Sequence, residues 1–491
     1  MSAILLRWLS LPRIILLSLV IASLLVARYD TDAHANLTAE ERCGYQPGQF
    51  DKAVPDSDAI EITVWARANG PNCWRAFLPV EAAKLVTDPN IIVQPRALAA
   101  GSGVDANSIL PAASKGQGPD IAYLGDQAIN HAYDLGYIEP LDACLDRYPE
   151  FDTIRESAVL WSPLTRDGKR LGIPIEPTTY AFFFSKDKLR DLGWSKDQID
   201  QLPLRIREGQ FTLDDMADVA RQAVYEGVVE PGLGYWPSFR RRPTLHQLYK
   251  AFGGDVPKTV NEPFRLNRAV LERSYAFHRQ LFVEGISHSS FAGQEAGTSF
   301  VGRTLYQDTV AHGKVLFWSR ELQDLTAEYA ANFVDELGGR EYVSKTIGYA
   351  LFPSGIRGQP ASTRWSNTGA YVILSAQATG RQNQDLACAV LAKVMMPEIY
   401  SRFPMSTGTL NTLKSQDESS TYEMDSFERE SRYFWDYIWR WPHDTNSNQY
   451  LPVLEKYLAE VELGRLSPEG AVDRAVHEIQ EKLGNVVIIE P

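Results

Sequence analysis

The sequence lacks the short motifs that mark most catalytic and nucleotide-binding sites. It contains no G-x-S-x-G nucleophile elbow, no H-E-x-x-H metal motif, no P-loop and no G-x-G-x-x-G fingerprint. The eight histidines are scattered, without the spacing that brings two of them to one metal ion. We therefore expect no catalytic residue, no metal and no cofactor.

Cysteine is scarce, since Cys43, Cys73, Cys144 and Cys388 are the only four in 491 residues. None lies in a C-x-x-C pair or close to a histidine, so the sequence gives metal binding little support. Cys388 lies on the apolar face of the predicted helix 383–396 and is expected to be a buried free thiol. Any disulfide is then expected to join two of the other three, although four cysteines allow three full pairings and the sequence does not choose among them.

Basic residues are outnumbered, with 49 Lys and Arg against 62 Asp and Glu and a formal net charge of −13. Nucleic acids and anionic membrane surfaces attract clustered Lys and Arg, so neither is an expected partner. A hydrophobic content of 44% and an aromatic content of 11% argue against disorder. At about 150 residues per domain, the length predicts two to three domains.

The N-terminal apolar run, residues 14–27, falls short of the roughly 20 residues that a membrane-spanning helix needs. Arg7 and Arg13 precede this run, and Ala33-His34-Ala35 follows it as an A-x-A cleavage pattern. The pattern predicts a signal peptide over residues 1–35, and retention as a membrane anchor is the alternative. We therefore expect a periplasmic or other extracytoplasmic protein.

Strand-like and helix-like segments alternate along the mature chain, which indicates an α/β fold. Residues 59–66 and 91–98 are predicted strands, and a third strand lies in Gly118–Asp126, GPDIAYLGD. Asp126 follows a glycine at the carboxyl end of this strand, where open α/β sheets bind ligands. It is therefore a candidate ligand anchor whose replacement leaves folding nearly unaffected, and the alternative is a cap on the next helix.

Two segments are predicted to cross between lobes. The first is Gly168–Arg190, GKRLGIPIEPTTYAFFFSKDKLR, in which two prolines forbid a helix and residues 171–175 and 181–184 are predicted strands. The second is Trp365–Leu374, WSNTGAYVIL, where a glycine precedes an apolar strand.

The first crossing resembles the hinge of extracellular solute-binding protein family 1, the maltose-binding-protein-like receptors of carbohydrate ABC importers. The resemblance rests on G-K-x-x-G-I-P followed by an aromatic run and S-K-D-K-L-R-D-L-G. Leu248–Gly254 and Ala311–Leu325 also resemble family segments, namely Leu-x-x-x-x-Gly-Gly and the G-K-A-A-M strand and loop. The order of these motifs extends the resemblance over roughly 59–484.

The resemblance implies an α/β, two-lobed periplasmic-binding-protein-like fold of type II, with a ligand cleft between lobes that are each discontinuous in sequence. After a leader over residues 36–58, lobe 1 would comprise 59–176 and 369–425. Lobe 2 would comprise 177–368 and 426–491. Closure about the crossings would accompany ligand binding.

The resemblance also implies a function. The protein would be a monomeric receptor, not an enzyme, that captures a sugar or oligosaccharide and delivers it to the permease subunits of an ABC importer. One alternative is a binding protein for a phosphorylated polyol or other anionic solute, which only Arg240–Arg242 supports. The other is a secreted glycosidase in which Asp126 and Glu176 are the paired carboxylates.

The residues expected to contact the ligand are polar groups that bond sugar hydroxyls and aromatic rings that cover the apolar faces of sugars. For the aromatic candidates Tyr180, Trp236 and Tyr450 the alternative is a place in the core. The full set is Trp65, Arg67, Asn69, Asp126, Glu176, Tyr180, Trp236, Arg320, Glu321, Trp365, Asn367 and Tyr450.

Overall fold

The protein is seen here as a computed structural model. The described residues are 59–67, 74–86, 91–98, 104–237, 241–257, 262–287, 312–322, 339–400, 410–414, 432–441, 447–484 and 487–491. Contacts between residues divide the chain into two compact units: unit 1 is Met1–Leu124, Ala128–Tyr148 and Tyr371–Ile399, and unit 2 is Gly125–Gln127, Pro149–Ala370 and Tyr400–Pro491. Both units are discontinuous in sequence. The lobe boundaries given above stay a prediction.

Strands and helices alternate, as predicted. The strands are β1 (Ile60–Arg67), β2 (Ile91–Leu98), β3 (Ile121–Gly125), β4 (Thr165–Arg166), β5 (Lys169–Arg170), β6 (Ile173–Ser185), β7 (Tyr235–Trp236), β8 (Phe264–Asn267), β9 (Phe317–Glu321), β10 (Ile347–Ala350), β11 (Thr363–Ile373), β12 (Ile438–Trp439) and β13 (Val487–Glu490). The helices are α1 (Trp74–Ala83), α2 (Val104–Ala113), α3 (Asp126–Asp134), α4 (Asp142–Arg147), α5 (Ala158–Trp161), α6 (Lys186–Asp191), α7 (Lys196–Asp200), α8 (Leu202–Arg207), α9 (Leu213–Tyr225), α10 (Arg241–Ala251), α11 (Arg268–Val283), α12 (Gly339–Thr346), α13 (Ala376–Thr379), α14 (Gln384–Val394), α15 (Pro397–Tyr400), α16 (Ser447–Glu462) and α17 (Pro468–Leu483). None of these helices is long and apolar enough to cross a membrane.

Unit 1 is built on a parallel sheet. Strand β1 lies between β2 and β3, with Ile60 opposite Ile91 and Val64 opposite Ile121. The alternating residues Ile62, Val64 and Ala66 of β1 are fully buried, which is the period of two expected of a strand. The predicted strands 59–66 and 91–98 are therefore confirmed.

The Asp120 carboxylate bonds residues from separate segments of unit 1. Its buried carboxylate accepts hydrogen bonds from the backbone N–H of Thr63 at 2.8 Å and from the Thr63 hydroxyl at 2.9 Å. Arg381 donates to it at 3.0 Å and Asn383 at 3.2 Å. Since a buried carboxylate must be paired and hydrogen-bonded, the G-P-D segment of the sequence marks a structural ion pair before β3.

Cys144 and Cys388 form a disulfide, with their Cα atoms 5.8 Å apart. The expectation that Cys388 is a free thiol is therefore wrong, and so is the expectation that any disulfide joins two of the other three cysteines. Cys388 is buried as predicted, but its helix α14 lies beside α4, which carries Cys144. Periodicity shows that a helix face is buried and does not show which residue covers it. Cys43 and Cys73 lie outside the described residues.

This disulfide is expected to contribute substantially to stability, because it joins positions 244 residues apart and so restricts a long loop of the unfolded chain. Replacing both cysteines by serine should lower the free energy of unfolding by about 2–5 kcal/mol, measured by urea denaturation. The single variant Cys388→Ser should lose about as much as the double variant, because either change removes the bridge. Unfolding curves that coincide with that of the unmodified protein would contradict this bridge.

Unit 2 contains the longest strand of the described chain. All 13 residues of β6 are buried, where the sequence predicted two shorter strands interrupted by prolines. In the sheet the strand order is β11, β6, β9 and β7, with β10 also paired to β6 and β12 to β11. Strands β6 and β9 are antiparallel, and Tyr180 lies directly opposite Glu321.

Helices α10, α11, α16 and α17 enclose a second core in unit 2. Its buried residues include Tyr275, Trp441, Tyr450 and Leu458. Elsewhere in unit 2, the sequence of residues 211–224, FTLDDMADVARQAV, predicts a helix with Thr212 as its N-cap. This helix is observed as α9, and Thr212 caps it in a reciprocal pair of hydrogen bonds with Asp215.

Candidate functional site

Polar side chains gather where β11, β6 and β9 lie side by side in unit 2. The Tyr180 hydroxyl on β6 donates to Oε1 of Glu321 at 3.4 Å, and the Ser366 hydroxyl on β11 donates to the same oxygen at 2.8 Å. Glu321 stands at the end of β9 and is half-buried. Two hydroxyls therefore hold this carboxylate in a fixed position at the sheet end.

Arg364 on β11 belongs to the same cluster. Its guanidinium lies 5.3 Å from the centre of the Tyr180 ring, a cation–π contact, and the side chain is buried, with the residue 6% exposed. Burial lowers the pKa of Arg364, while the neighbouring Tyr180 and Glu321 oppose that shift. The Thr179 hydroxyl donates to the Arg364 carbonyl at 2.8 Å, which fixes the backbone of β11 against β6.

Asn367 gives the cluster an exposed amide. The Thr178 hydroxyl on β6 donates to its Oδ1 at 3.2 Å, while the residue itself is exposed. The Nδ2 group has no hydrogen-bond partner among the described residues, so it can donate to a ligand oxygen.

Asp126 forms an ion pair with Arg440, whose Nη2 lies 3.1 Å from Oδ2 of Asp126. The two side chains are 5% and 17% exposed, in the order Asp126 and Arg440. Burial lowers the pKa of Arg440, the charge of Asp126 opposes this, and the positive charge of Arg364 lowers it further. Arg440 is therefore close to the Arg364 cluster. Asp126 also opens α3, where a helix N-terminus favours a carboxylate.

Four of the predicted aromatic contacts are buried in unit 2. Tyr180, Trp236, Trp365 and Tyr450 are all nearly inaccessible to solvent, and of these Tyr180 bonds Glu321 through its hydroxyl. Tyr450 stacks on Phe264 with ring centres 4.9 Å apart, and its hydroxyl accepts from Trp441 Nε1 at 2.9 Å. The Tyr450 ring, with these neighbours, has no open face for a sugar, and we leave it out of the proposed site together with the buried Trp236 and Trp365.

The remaining candidates are dispersed. Trp65 is half-buried in unit 1, where the guanidinium of Arg96 lies 4.4 Å from its ring centre. Arg67 is the last residue of β1, and Asn69 lies outside the described residues. In unit 2, Glu176 and Arg320 are buried, and Arg320 lies on the opposite face of β9 from Glu321 because successive strand residues alternate. The structure thus brings Tyr180 and Glu321 into contact, and Asn367 bonds Thr178, two residues before Tyr180 on β6. Asp126 is linked to this region through Arg440, which follows the β12 residue opposite Arg364.

Sequence reasoning missed four members of this cluster, Thr178, Arg364, Ser366 and Arg440. Two of them, Arg364 and Ser366, are adjacent to the predicted Trp365, and the alternation of strand residues was the signal that could have found them. Nothing local to Arg440 indicates its pairing with Asp126, because the two are 314 positions apart.

The sequence matches the model of one protein family, described as bacterial extracellular solute-binding protein, over residues 79–379. The match covers more than half of the chain. The chain belongs to this family. The membership confirms the resemblance found in the sequence and indicates an extracytoplasmic location. Among curated proteins, none matches the sequence significantly.

Several solved structures of solute-binding proteins share the fold of this family member. The GacH receptor of Streptomyces glaucescens is 15% identical with a TM-score of 0.63, and the alignment covers 87% of this chain and 98% of the receptor. The cyclic α-maltosyl-1,6-maltose binding protein of Arthrobacter globiformis is 15% identical with a TM-score of 0.62, and the alignment covers 87% of this chain and 100% of the Arthrobacter protein. The sugar-binding protein MalE of Xanthomonas citri is 17% identical with a TM-score of 0.61, and the alignment covers 87% of this chain and 97% of the Xanthomonas protein. These similarities confirm the predicted α/β, two-lobed, type II fold.

The pairing of Asp126 changes what its replacement should do in this solute-binding protein. Asp126→Ala leaves Arg440, whose side chain is 17% exposed, beside Arg364 without its carboxylate, which should lower the free energy of unfolding by up to about 3–5 kcal/mol. This differs from the expectation that folding is nearly unaffected. Asp126→Asn retains an acceptor oxygen and should lose less, as measured by urea denaturation.

The matched control is Asp385→Ala, because Asp385 pairs with Arg147 on the surface and its side chain is 79% exposed. An exposed pair of this kind contributes about 0–1 kcal/mol. If Asp126→Ala proved no less stable than this control, the ion pair with Arg440 would have no structural role.

Proposed function

We propose that this protein is an extracytoplasmic receptor that binds a sugar or oligosaccharide and delivers it to the permease subunits of an ABC importer. Family membership supports solute capture. The similar structures support the sugar, since the Streptomyces receptor is described in complex with acarbose, the Arthrobacter protein binds a cyclic maltosyl-maltose, and the Xanthomonas protein is named as sugar-binding. We propose that it acts as a monomer and is exported by the signal peptide over residues 1–35.

The observation that carries the proposal is the cluster formed by Tyr180, Glu321, Ser366 and Asn367. A sugar presents many hydroxyls, each both a donor and an acceptor, and these groups offer complementary chemistry. The Glu321 carboxylate is an acceptor that two hydroxyls already orient. The exposed Asn367 amide supplies a donor. Such preorganised groups bind a ligand at lower entropic cost than mobile ones.

The same geometry favours binding over hydrolysis. A glycosidase needs two carboxyl groups that reach the substrate, one of them held protonated. Asp126 is instead paired with the cation of Arg440, and Glu176 is buried. We therefore propose no catalytic role for either residue.

A thermal-shift screen of the mature protein against maltooligosaccharides, sugar phosphates and short peptides tests the ligand class, followed by calorimetric titration of the compounds that stabilise it. We expect one sugar bound per chain and no change in the sugar after prolonged incubation, analysed by chromatography. Stabilisation by peptides alone, or steady release of a shortened sugar, would overturn the proposal.

Replacing Glu321 tests the site within this function. Hydrogen bonds to charged groups contribute roughly 1.5–3 kcal/mol, so Glu321→Ala should weaken sugar binding by about 10- to 150-fold. Glu230→Ala is the matched control, because Glu230 is an exposed acid of unit 2 outside the cluster. Equal affinities for the two variants would remove Glu321 from the site.

A further inference from the structure

Two arginines of unit 2, Arg440 and Arg242, carry charges that act on a third, Arg364. Arg364 lies directly opposite Trp439, the residue before Arg440, in the pairing of β11 with β12. Arg364 lies on β11, Arg440 directly follows β12, and Arg242 lies at the start of α10. Three carboxylates lie among these three cations: Asp126 and Glu455 form ion pairs with two of them, and the charge of Glu321 acts on Arg364.

Two of these arginines have a direct carboxylate partner. Arg440 pairs with Asp126, and Arg242 pairs with Glu455. Arg364 has no carboxylate within ion-pair distance in the described part of the chain. The acid whose charge acts on Arg364, Glu321, accepts hydrogen bonds from Tyr180 and Ser366. Among the described residues, Arg364 is thus the arginine of the three that has no carboxylate at ion-pair distance, and the charge of Glu321 reaches it only from farther away.

The position of Arg364 makes this imbalance costly. The residue is 6% exposed, and its Nε is buried without a hydrogen-bond partner among the described residues. Burying a charge without a paired opposite charge costs several kcal/mol. Tyr180 compensates in part through its ring and hydroxyl, but an aromatic face does not replace a carboxylate.

A ligand that carries an anion would supply the missing partner. We propose that the sugar bound by this protein is acidic and that its carboxylate binds Arg364 beside Arg440. This inference rests on the proposed function and narrows its ligand class. A carboxylate fits better than a phosphate ester because one unpaired cation matches one negative charge, whereas a phosphate carries about −1.5 to −2. The guanidinium fork can hold a carboxylate through two parallel hydrogen bonds.

The neighbours of Arg364 fit the rest of such a ligand. Ser366 and Asn367 follow it on β11, and Asn367 is exposed. With the anion at Arg364, the sugar hydroxyls would face the Glu321 carboxylate and the Asn367 amide. The arginine would then select the acidic sugar, and the polar groups would orient its ring.

The test compares matched sugars on the mature protein by calorimetric titration: a neutral hexose oligosaccharide, the hexuronate oligosaccharide of the same length and linkage, and the corresponding sugar phosphate. We expect the hexuronate to bind at least about tenfold more tightly than the neutral sugar, a difference of about 1.4 kcal/mol. The preference should shrink as ionic strength rises, since salt screens the charge interaction.

Arg364→Gln should reduce the affinity for the hexuronate at least about tenfold more than that for the neutral sugar, and Arg364→Lys should lose less because it keeps the charge. Arg221→Gln is the control and should change neither affinity, because Arg221 lies on α9 and pairs with Asp218 and Glu284 at the surface. If Arg364→Gln fails to fold, the selectivity of the unmodified protein and its salt dependence decide the matter.

Each other outcome contradicts a different claim. Equal binding of neutral and acidic sugars would overturn this inference and leave the proposed function standing. Preference for the sugar phosphate would overturn the choice of a carboxylate. If no sugar of any kind binds, the proposed function itself fails.

Discussion

The burial of strand β6 along its whole length constrains unit 2 more than any other feature. A buried strand that carries polar side chains must find a partner for each of them, because an unpaired buried polar group costs about 1–3 kcal/mol. The hydroxyls of Thr178, Thr179 and Tyr180 meet this need by bonding Asn367, Arg364 and Glu321 on the flanking strands. The groups that we propose as the ligand site are thus the partners that β6 requires, which makes the site rigid before any ligand arrives.

Charge in this region serves both stability and selection. The ion pair of Asp126 with Arg440 is weak evidence of net stabilisation, since desolvation offsets the attraction, but breaking it leaves a buried cation beside another. Arg364 is the member of this group whose direct counter-ion the described chain does not supply. A binding protein can tolerate a buried cation without a direct carboxylate partner when its ligand supplies the carboxylate. A ligand without an anionic group leaves the cation unpaired and is therefore bound less tightly, which gives selectivity.

Local pattern predicted much of the fold and little of the site. The strand 91–98 and the Thr212 cap followed from alternation and from capping chemistry, which act over a few residues. The disulfide of Cys388 and the partner of Asp126 depend on contacts across 244 and 314 positions, which no local pattern encodes. Tyr450 was expected at the ligand, yet its ring packs in the second core of unit 2, where it stacks on Phe264 from a distant part of the sequence.

The most direct test of this account is a crystal structure of the protein with a bound sugar. The account predicts sugar oxygens within hydrogen-bond distance, about 2.7–3.2 Å, of the Glu321 carboxylate and the Asn367 amide. Any acidic group of the sugar should lie against Arg364. A sugar bound elsewhere, with these three side chains contacting only the protein, would contradict the assignment of the ligand site.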